Sequence, residues 1–376
     1  MAKIAILAGE PSGDLIASQL MAYVRSKVKN IEFIGVGGSL MKQQGLRSFF
    51  DYSNLSLYGV FQVIPNIPKL IFLRYKLINY LRNEKPDIFI GVDAPDFNFY
   101  IEKKLKQSGI PTFHYVAPSV WAWRPNRVYK IKKSTDHIFS IFPHEKPLFV
   151  KVGIETTFVG HPLANKIPLQ SNMNKYRKAL RLNRDELVIA LLPGSRVGEL
   201  KAHTDTLLET AQNLFEVYPD AKFLIPATNV KNVNFIKGRM RNNPTKNIKL
   251  INGKVDEILS SANIAIAASG TASLQIALHK KPMIIIYKGS WISYFIWKMV
   301  RLIPYVSLPN ILLNENFIPE MLQHRATPNL LSEKACEIIK DKKYSKKIES
   351  KFNMLHKDLK RNTSSIIFKI IKPYLK

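Results

Sequence analysis

The chain has 376 residues, with 56 Lys and Arg against 28 Asp and Glu, a formal net charge of +28. At 46% hydrophobic and 22% charged residues it has the make-up of a folded globular protein, which excludes general disorder. A single cysteine, Cys336, excludes an internal disulfide framework and a cysteine-based metal cluster.

The length suggests two to three domains. The cation excess suits nucleic acid, an anionic membrane face or an anionic small substrate, unless it is only a lysine-rich usage bias. No apolar run is long enough for a spanning helix, and the N-terminus reads as a first strand rather than a signal peptide.

Residues 3–8 (KIAILA) form an apolar run that ends at Gly9, followed by a turn and a helical stretch from Leu15 to Val28. Residues 32–38 read as a strand closing in glycines. A helix should follow, and then buried strands at 86–93, 112–116 and 137–142. Apolar runs of this length, spaced by helical segments, predict a parallel sheet covered on both faces. After a linker the pattern restarts. Strands are expected at 187–192, 222–226, 248–251, 264–267 and 282–287, with a helix from about Thr204 to Tyr218. The last segment, from Glu333, carries 13 Lys and Arg against 5 Asp and Glu, with apolar residues at helical spacing.

The expected fold is therefore α/β. Two Rossmann-like, doubly wound domains (1–165 and 166–332) face each other across a cleft, and a basic helical tail (333–376) docks on the first domain or on a partner chain. Ligands of such sheets sit beyond the carboxyl ends of the strands.

Several motifs fall at those ends. Pro193-Gly194-Ser195-Arg196 lies between a buried strand and a helix, where free N–H groups, the helix dipole and an Arg fork suit a phosphate. Ser269-Gly270-Thr271 repeats the logic, and two such loops in one domain suit a diphosphate. Asn310 and Glu315 belong to a polar cluster that is either a ribose-binding edge or a surface loop. In the first half, Gly9-Glu10-Pro11-Ser12-Gly13-Asp14 carries carboxylates suited to sugar hydroxyls, although Glu10 could simply cap the next helix. Asp93 and Asp96 close a buried strand. One is expected to cap a helix and the other to accept a proton from an attacking hydroxyl. Trp121, Trp123 and Arg124 combine sugar-stacking and phosphate-binding side chains, or else fill a core. No metal-binding pattern and no complete GxGxxG occurs, so neither a metal nor a cofactor is expected.

Two basic, aromatic-rich stretches, 60–76 and 290–305, contain no acidic residue. They suit helices lying in a membrane interface as well as helices packed on a sheet. The membrane-facing candidates are Phe61, Ile64, Ile67, Leu70 and Ile71.

Taken together and in this order, residues 8–14, 91–98, 118–124, 192–196, 268–272 and 306–310 resemble the lipid-A-disaccharide synthases. The likeness runs from about Lys3 to Gln323. It implies a glycosyltransferase of the double-Rossmann, GT-B type. Such an enzyme condenses UDP-2,3-diacylglucosamine with 2,3-diacylglucosamine 1-phosphate to the lipid A disaccharide 1-phosphate and UDP, with inversion. It implies a cytoplasmic enzyme, peripheral to the inner membrane of a Gram-negative bacterium. Under this resemblance Asp96 is the preferred base, with Asp93 second. Gly194, Ser195, Arg196, Ser269, Gly270, Thr271, Asn310 and Glu315 hold the nucleotide. Glu10, Ser12, Trp123 and Arg124 shape the acceptor side. The competing readings are another enzyme of UDP-N-acetylglucosamine on the same fold, an epimerase or a lipid-linked transferase, and a nucleic-acid binder motivated by charge alone. No nucleic-acid motif supports the latter, and oligomerisation through the tail stays open.

Overall fold

The computed structural model describes residues 1–51, 60–123, 125–227, 229–242 and 247–376. They form two compact units, Met1–Pro162 with Leu359–Lys376, and Leu163–Asp358.

The first unit is built on a seven-stranded parallel sheet. Its strands are β1 (Ala2–Ala8), β2 (Ile31–Gly37), β3 (Leu46–Asp51), β4 (Ile88–Val92), β5 (Thr112–Tyr115), β6 (His137–Ser140) and β7 (Glu155–Phe158). Their spatial order is β3-β2-β1-β4-β5-β6-β7. The central strands are buried on both faces, which is why they read as unbroken apolar runs. On one face Ala5, Leu7, Ile34 and Phe89 pack against Leu77, Ile78 and Leu81 of the helix Val60–Glu84. The same core includes Phe97, Ile101 and Leu105 of the helix Pro95–Lys106.

The second unit repeats the plan with β8 (Val188–Leu192), β9 (Lys222–Ala227), β10 (Ile248–Asn252), β11 (Ile264–Ala268), β12 (Met283–Tyr287) and β13 (Glu320–Leu322). The order is β10-β9-β8-β11-β12-β13, again all parallel. Ile189, Leu191 and Phe223 pack against Leu207, Leu208, Ala211 and Leu214 of the helix Val197–Val217.

In both sheets the winding direction reverses beside the first strand, between β1 and β4 and between β8 and β11. Connections leave in opposite directions there and open a crevice at the carboxyl ends, the usual ligand position in open α/β sheets.

The segment expected as one basic tail is shared between the units. Leu331, Ala335 and Ile338 of the helix Pro328–Lys340 join the core of the second unit. Phe352 of the next helix meets Phe317 edge-on. The helix Thr363–Ile371 belongs to the first unit, where Thr363 Oγ1 donates to the Val159 carbonyl and Phe368 packs on Tyr23.

Candidate active site

In the second unit, a cavity of about 320 Å3 lies beyond β8 and β11, at the point where the winding reverses. The loops 193–196 and 269–271 both line it. The first is shaped by Gly194, which holds φ at +110°. A Cβ there would sit 2.5 Å from the Glu199 side chain, so only glycine fits. The loop is clamped from behind through its carbonyls. His203 donates from Nδ1 to the Pro193 carbonyl (3.2 Å), and Asn232 Nδ2 donates to the Ser195 carbonyl (3.0 Å). The Lys288 N–H donates to His203 Nε2 (3.0 Å), which fixes the neutral imidazole with its proton on Nδ1. Burial lowers the His203 pKa, consistent with that neutral form.

The amides of this loop face the next helix. The Ser195 and Arg196 N–H groups donate to Glu199 Oε2 (2.9 and 3.3 Å), and Arg196 Nη1 pairs with Glu199 Oε1 (3.1 Å). This capping box starts the helix at Val197, seven residues before the expected start. It also gives Arg196 a carboxylate partner.

The second loop is more open. Gly270 (φ +146°) stands at the N-cap of the helix Thr271–Leu278, with no side-chain cap and open space around its Cα. The helix start therefore offers its amides to the cavity. Ser269 lines the cavity with its Oγ donating to the Val306 carbonyl (2.9 Å). Gln275, one turn into the helix, also lines the cavity, and its amide is held by Asp256 (2.6 Å). A hydrogen bond from His279, followed by those from Lys166 and Gln275, holds the Asp256 carboxyl far below the usual range.

Asn310 and Glu315 do not line this cavity. Asn310 is fully buried, and its amide is spent within the fold. Its oxygen accepts from the Phe317 and Ile318 N–H groups, and its nitrogen donates to the Ile318 carbonyl and to Glu320. Glu320 also accepts from the Val306 and Ser307 N–H groups and from the Ser307 hydroxyl, so the pair ties the segment 306–320 together. Glu315 forms an ion pair with Lys351. Asn310 is thus part of a structural knot and Glu315 of a surface pair, and the structure does not bring them to the cavity of the two loops.

In the first unit, the loops after β1 and β4 flank the other reversal point. Glu10 stands at the N-cap of the helix Pro11–Lys27 without capping it, and Ser12 is exposed in its first turn. Asp93 and Ala94 both take left-handed backbone (φ +53° and +43°), which turns the chain sharply at the end of β4. Asp93 Oδ1 accepts from the Ala94 N–H (2.9 Å), and the Asp93 carbonyl accepts from Asn98 Nδ2 (2.7 Å). Beneath the turn, fully buried Glu102 and His114 pair at 2.7 Å.

Asp96 behaves differently. Its carboxylate pairs with Arg127, and its carbonyl accepts from Arg74. Neither aspartate caps the helix Pro95–Lys106, contrary to expectation, because the turn places Ala94 at the N-cap. Trp121 is an internal anchor, its Nε1 donating to buried Glu145, whose carboxyl burial pushes up to about 8. The Trp123 side chain and Arg124 lie outside the described residues, as do the side chains of Phe61, Ile64 and Ile67. Leu70 is half-buried against the core, whereas Ile71, Phe72 and Tyr75 are exposed.

Sequence reasoning missed Glu199, His203, Asn232 and Gln275. Glu199 had a readable signal, three residues after Arg196 at capping-box spacing. The others become visible only once the strands are ordered. Among the described residues no group of His, Cys, Asp and Glu could hold a metal ion.

Comparison with known proteins identifies the family. The chain is 41% identical over 368 residues to a lipid-A-disaccharide synthase of Chromobacterium violaceum, covering 96% of this chain and 95% of that one. It is 36% identical to the synthase of Methylobacillus flagellatus over the full length of both. A crystal structure of UDP-GlcNAc 2-epimerase from Neisseria meningitidis bound to UDP-GlcNAc matches at TM-score 0.66 and 14% identity. It covers 99% of this chain and 100% of its own, a likeness of fold. The Lipid-A-disaccharide synthetase family model matches residues 4–371, so the chain belongs to that family.

Proposed function

We propose that this chain makes the lipid A disaccharide by one inverting displacement, with Asp93 as the base and the cavity beyond β8 and β11 as the seat of UDP. Family membership makes it a hexosyltransferase of lipid A biosynthesis. The observation that carries the nucleotide assignment is the convergence of Gly194, Ser195, Arg196, Gly270 and Thr271 on one cavity where the winding reverses.

In the reaction, the acceptor's 6-hydroxyl oxygen attacks the anomeric carbon of the UDP-linked sugar. The bond to the diphosphate breaks, and the hydroxyl proton passes to a carboxylate. The loop amides, Arg196 and the open start of the helix Thr271–Leu278 stabilise the charge that grows on UDP. Asp93 is favoured over Asp96 because only one of its oxygens is engaged, by a neighbouring amide, whereas Asp96 is tied to Arg127.

The partner surface we assign is an anionic membrane face. Among the described residues no helix is long and apolar enough to cross a membrane. The helix Trp291–Val300 instead exposes Trp291, Phe295 and Met299 at i, i+4 and i+8, with Lys298 on the same side. This stripe suits the headgroup zone, and in the first unit the exposed Ile71, Phe72 and Tyr75 do so separately.

The test is the rate of UDP release from the acylated pair by Asp93→Asn and Asp96→Asn. Loss of the base costs about 10²–10⁴-fold in kcat. A rate for Asp93→Asn above about a tenth of wild type removes Asp93 from the role.

A further inference from the structure

A second cavity, about 660 Å3, opens beside Asp96 between the start of the helix Pro95–Lys106 and residues 125–134. One side is apolar, from Pro95, Phe99 and Ile131, and the other carries Arg127 and Lys130. Two arginines contact Asp96, and a lysine lines the same cavity. Arg74 donates to the Asp96 carbonyl, with its guanidinium 4.9 Å from the Phe97 ring and 5.4 Å from the Tyr100 ring. Arg127 pairs with the carboxylate. Lys130 Nζ has no acceptor among the described residues.

The pair is lopsided. The Arg127 side chain is 24% exposed and that of Asp96 is 86% exposed, so the cation is anchored and the anion is loosely placed. A ligand carrying more negative charge can take the guanidinium fork while Asp96 swings into solvent.

We propose that this cavity binds the phosphate monoester of the acceptor, with Arg127 and Lys130 on its oxygens. The proposal rests on the glycosyltransferase reading above. A phosphate monoester fits because it is close to dianionic at neutral pH and matches the excess cations beside Asp96. Its tetrahedral oxygens can accept from the Arg127 fork and from Lys130 together. The apolar wall takes the less polar part of the same amphiphile. Before the phosphate arrives Asp96 keeps the Arg127 fork in place, and it gives up that fork rather than moving a proton.

The experiment uses the full chain in neutral detergent without phospholipid, so that no membrane phosphate contributes. Two acceptors are compared, diacylglucosamine 1-phosphate and the same sugar with a free 1-hydroxyl. Arg127→Gln and Lys130→Gln should each raise KM for the phosphorylated acceptor by about 10-fold or more, the worth of one charge-assisted hydrogen bond. The donor KM and the kinetics of the 1-hydroxyl acceptor should stay within about twofold. Equal losses on both acceptors, or no loss on either, overturns the site. Lys130 is exposed, so its variant keeps the test valid if Arg127→Gln folds poorly. A wild-type chain inactive on both acceptors overturns the transferase reading itself, an outcome distinct from any pattern among the variants.

Discussion

His203 offers the sharpest test of how the loop 193–196, proposed to hold the diphosphate, is fixed. Replacing it with alanine strands two groups at once, the buried Pro193 carbonyl and the part-buried Lys288 N–H, which now bond to its two ring nitrogens at 3.2 and 3.0 Å. Each buried group left unpaired costs about 1–3 kcal/mol. The missing ring adds a packing loss, so a total of about 3–5 kcal/mol is expected. For a unit of about 200 residues, that lowers the melting temperature by about 10 °C. The damage should also reach function, because the clamp holds the carbonyl side of a loop that lines the cavity. The donor KM should rise about tenfold while the acceptor KM stays put. Protonation should imitate the mutation, since an imidazolium cannot accept from Lys288. Burial lowers the His203 pKa, so the lock is closed above the ordinary histidine range and opens as pH falls through the lowered value. Thermal melting and initial rates at varied donor concentration settle the matter. A His203→Ala chain that melts within about 2 °C of wild type, with an unchanged donor KM, refutes the clamp.

Other outcomes follow from the same geometry. Gly270→Ala meets no neighbouring atom, but forces a side chain onto φ +146°, a strain of about 1–3 kcal/mol. It should raise the donor KM measurably, and an unchanged KM argues that this loop does not touch UDP. Burial lowers His161 to about 4 from 6.5, so its share of stability is present above about pH 6.5 and is lost as pH falls. By about pH 5 the loss is about 2 kcal/mol, and His161→Asn should flatten the urea-measured stability between pH 7 and 5. Replacing Trp291, Phe295 and Met299 together by serine removes the apolar stripe, each residue worth about 1.5–3 kcal/mol if buried in lipid. Flotation with vesicles containing phosphatidylglycerol should show binding reduced at least about tenfold, and equal flotation of both chains removes this helix from the membrane contact.

The sequence makes the central strands readable because they are buried on both faces, so their apolar runs carry no competing period. β3 and β13 were missed for the opposite reason. β13 has three residues and β3 mixes Arg47, Ser48 and Asp51 with its apolar positions, and each sits at a sheet edge where burial enforces little pattern. The two loops that line the cavity were readable as loops because a turn between a buried strand and a helix has a local signature. Asn310 and Glu315 are of residue types that suit a ribose or a structural contact equally well. Their partners Phe317, Ile318, Glu320 and Lys351 could not be read beforehand, because spacing does not reveal which polar group answers which.

The two aspartates show the same point at the centre of the chemistry. They stand three residues apart, and by type and spacing either could be the base. The backbone separates them. At the end of β4 two consecutive left-handed residues turn the chain before the helix begins, so Asp93 stays at the strand end and Asp96 moves to the first helical turn. Asn98 then fixes the Asp93 carbonyl, leaving one carboxylate oxygen on the Ala94 amide and the other unengaged among the described residues. Asp96 meets a guanidinium instead. A carboxylate serving as the counter-ion of an arginine takes up a proton only by breaking that pair, whereas one held by a single amide keeps a lone pair for the incoming hydroxyl. Two arginines on Asp96 and a lysine lining the same cavity would in turn draw the phosphate of the acceptor toward that side. One short loop can thus divide two tasks between identical side chains, Asp93 for the proton and Asp96 for the fork that receives the phosphate.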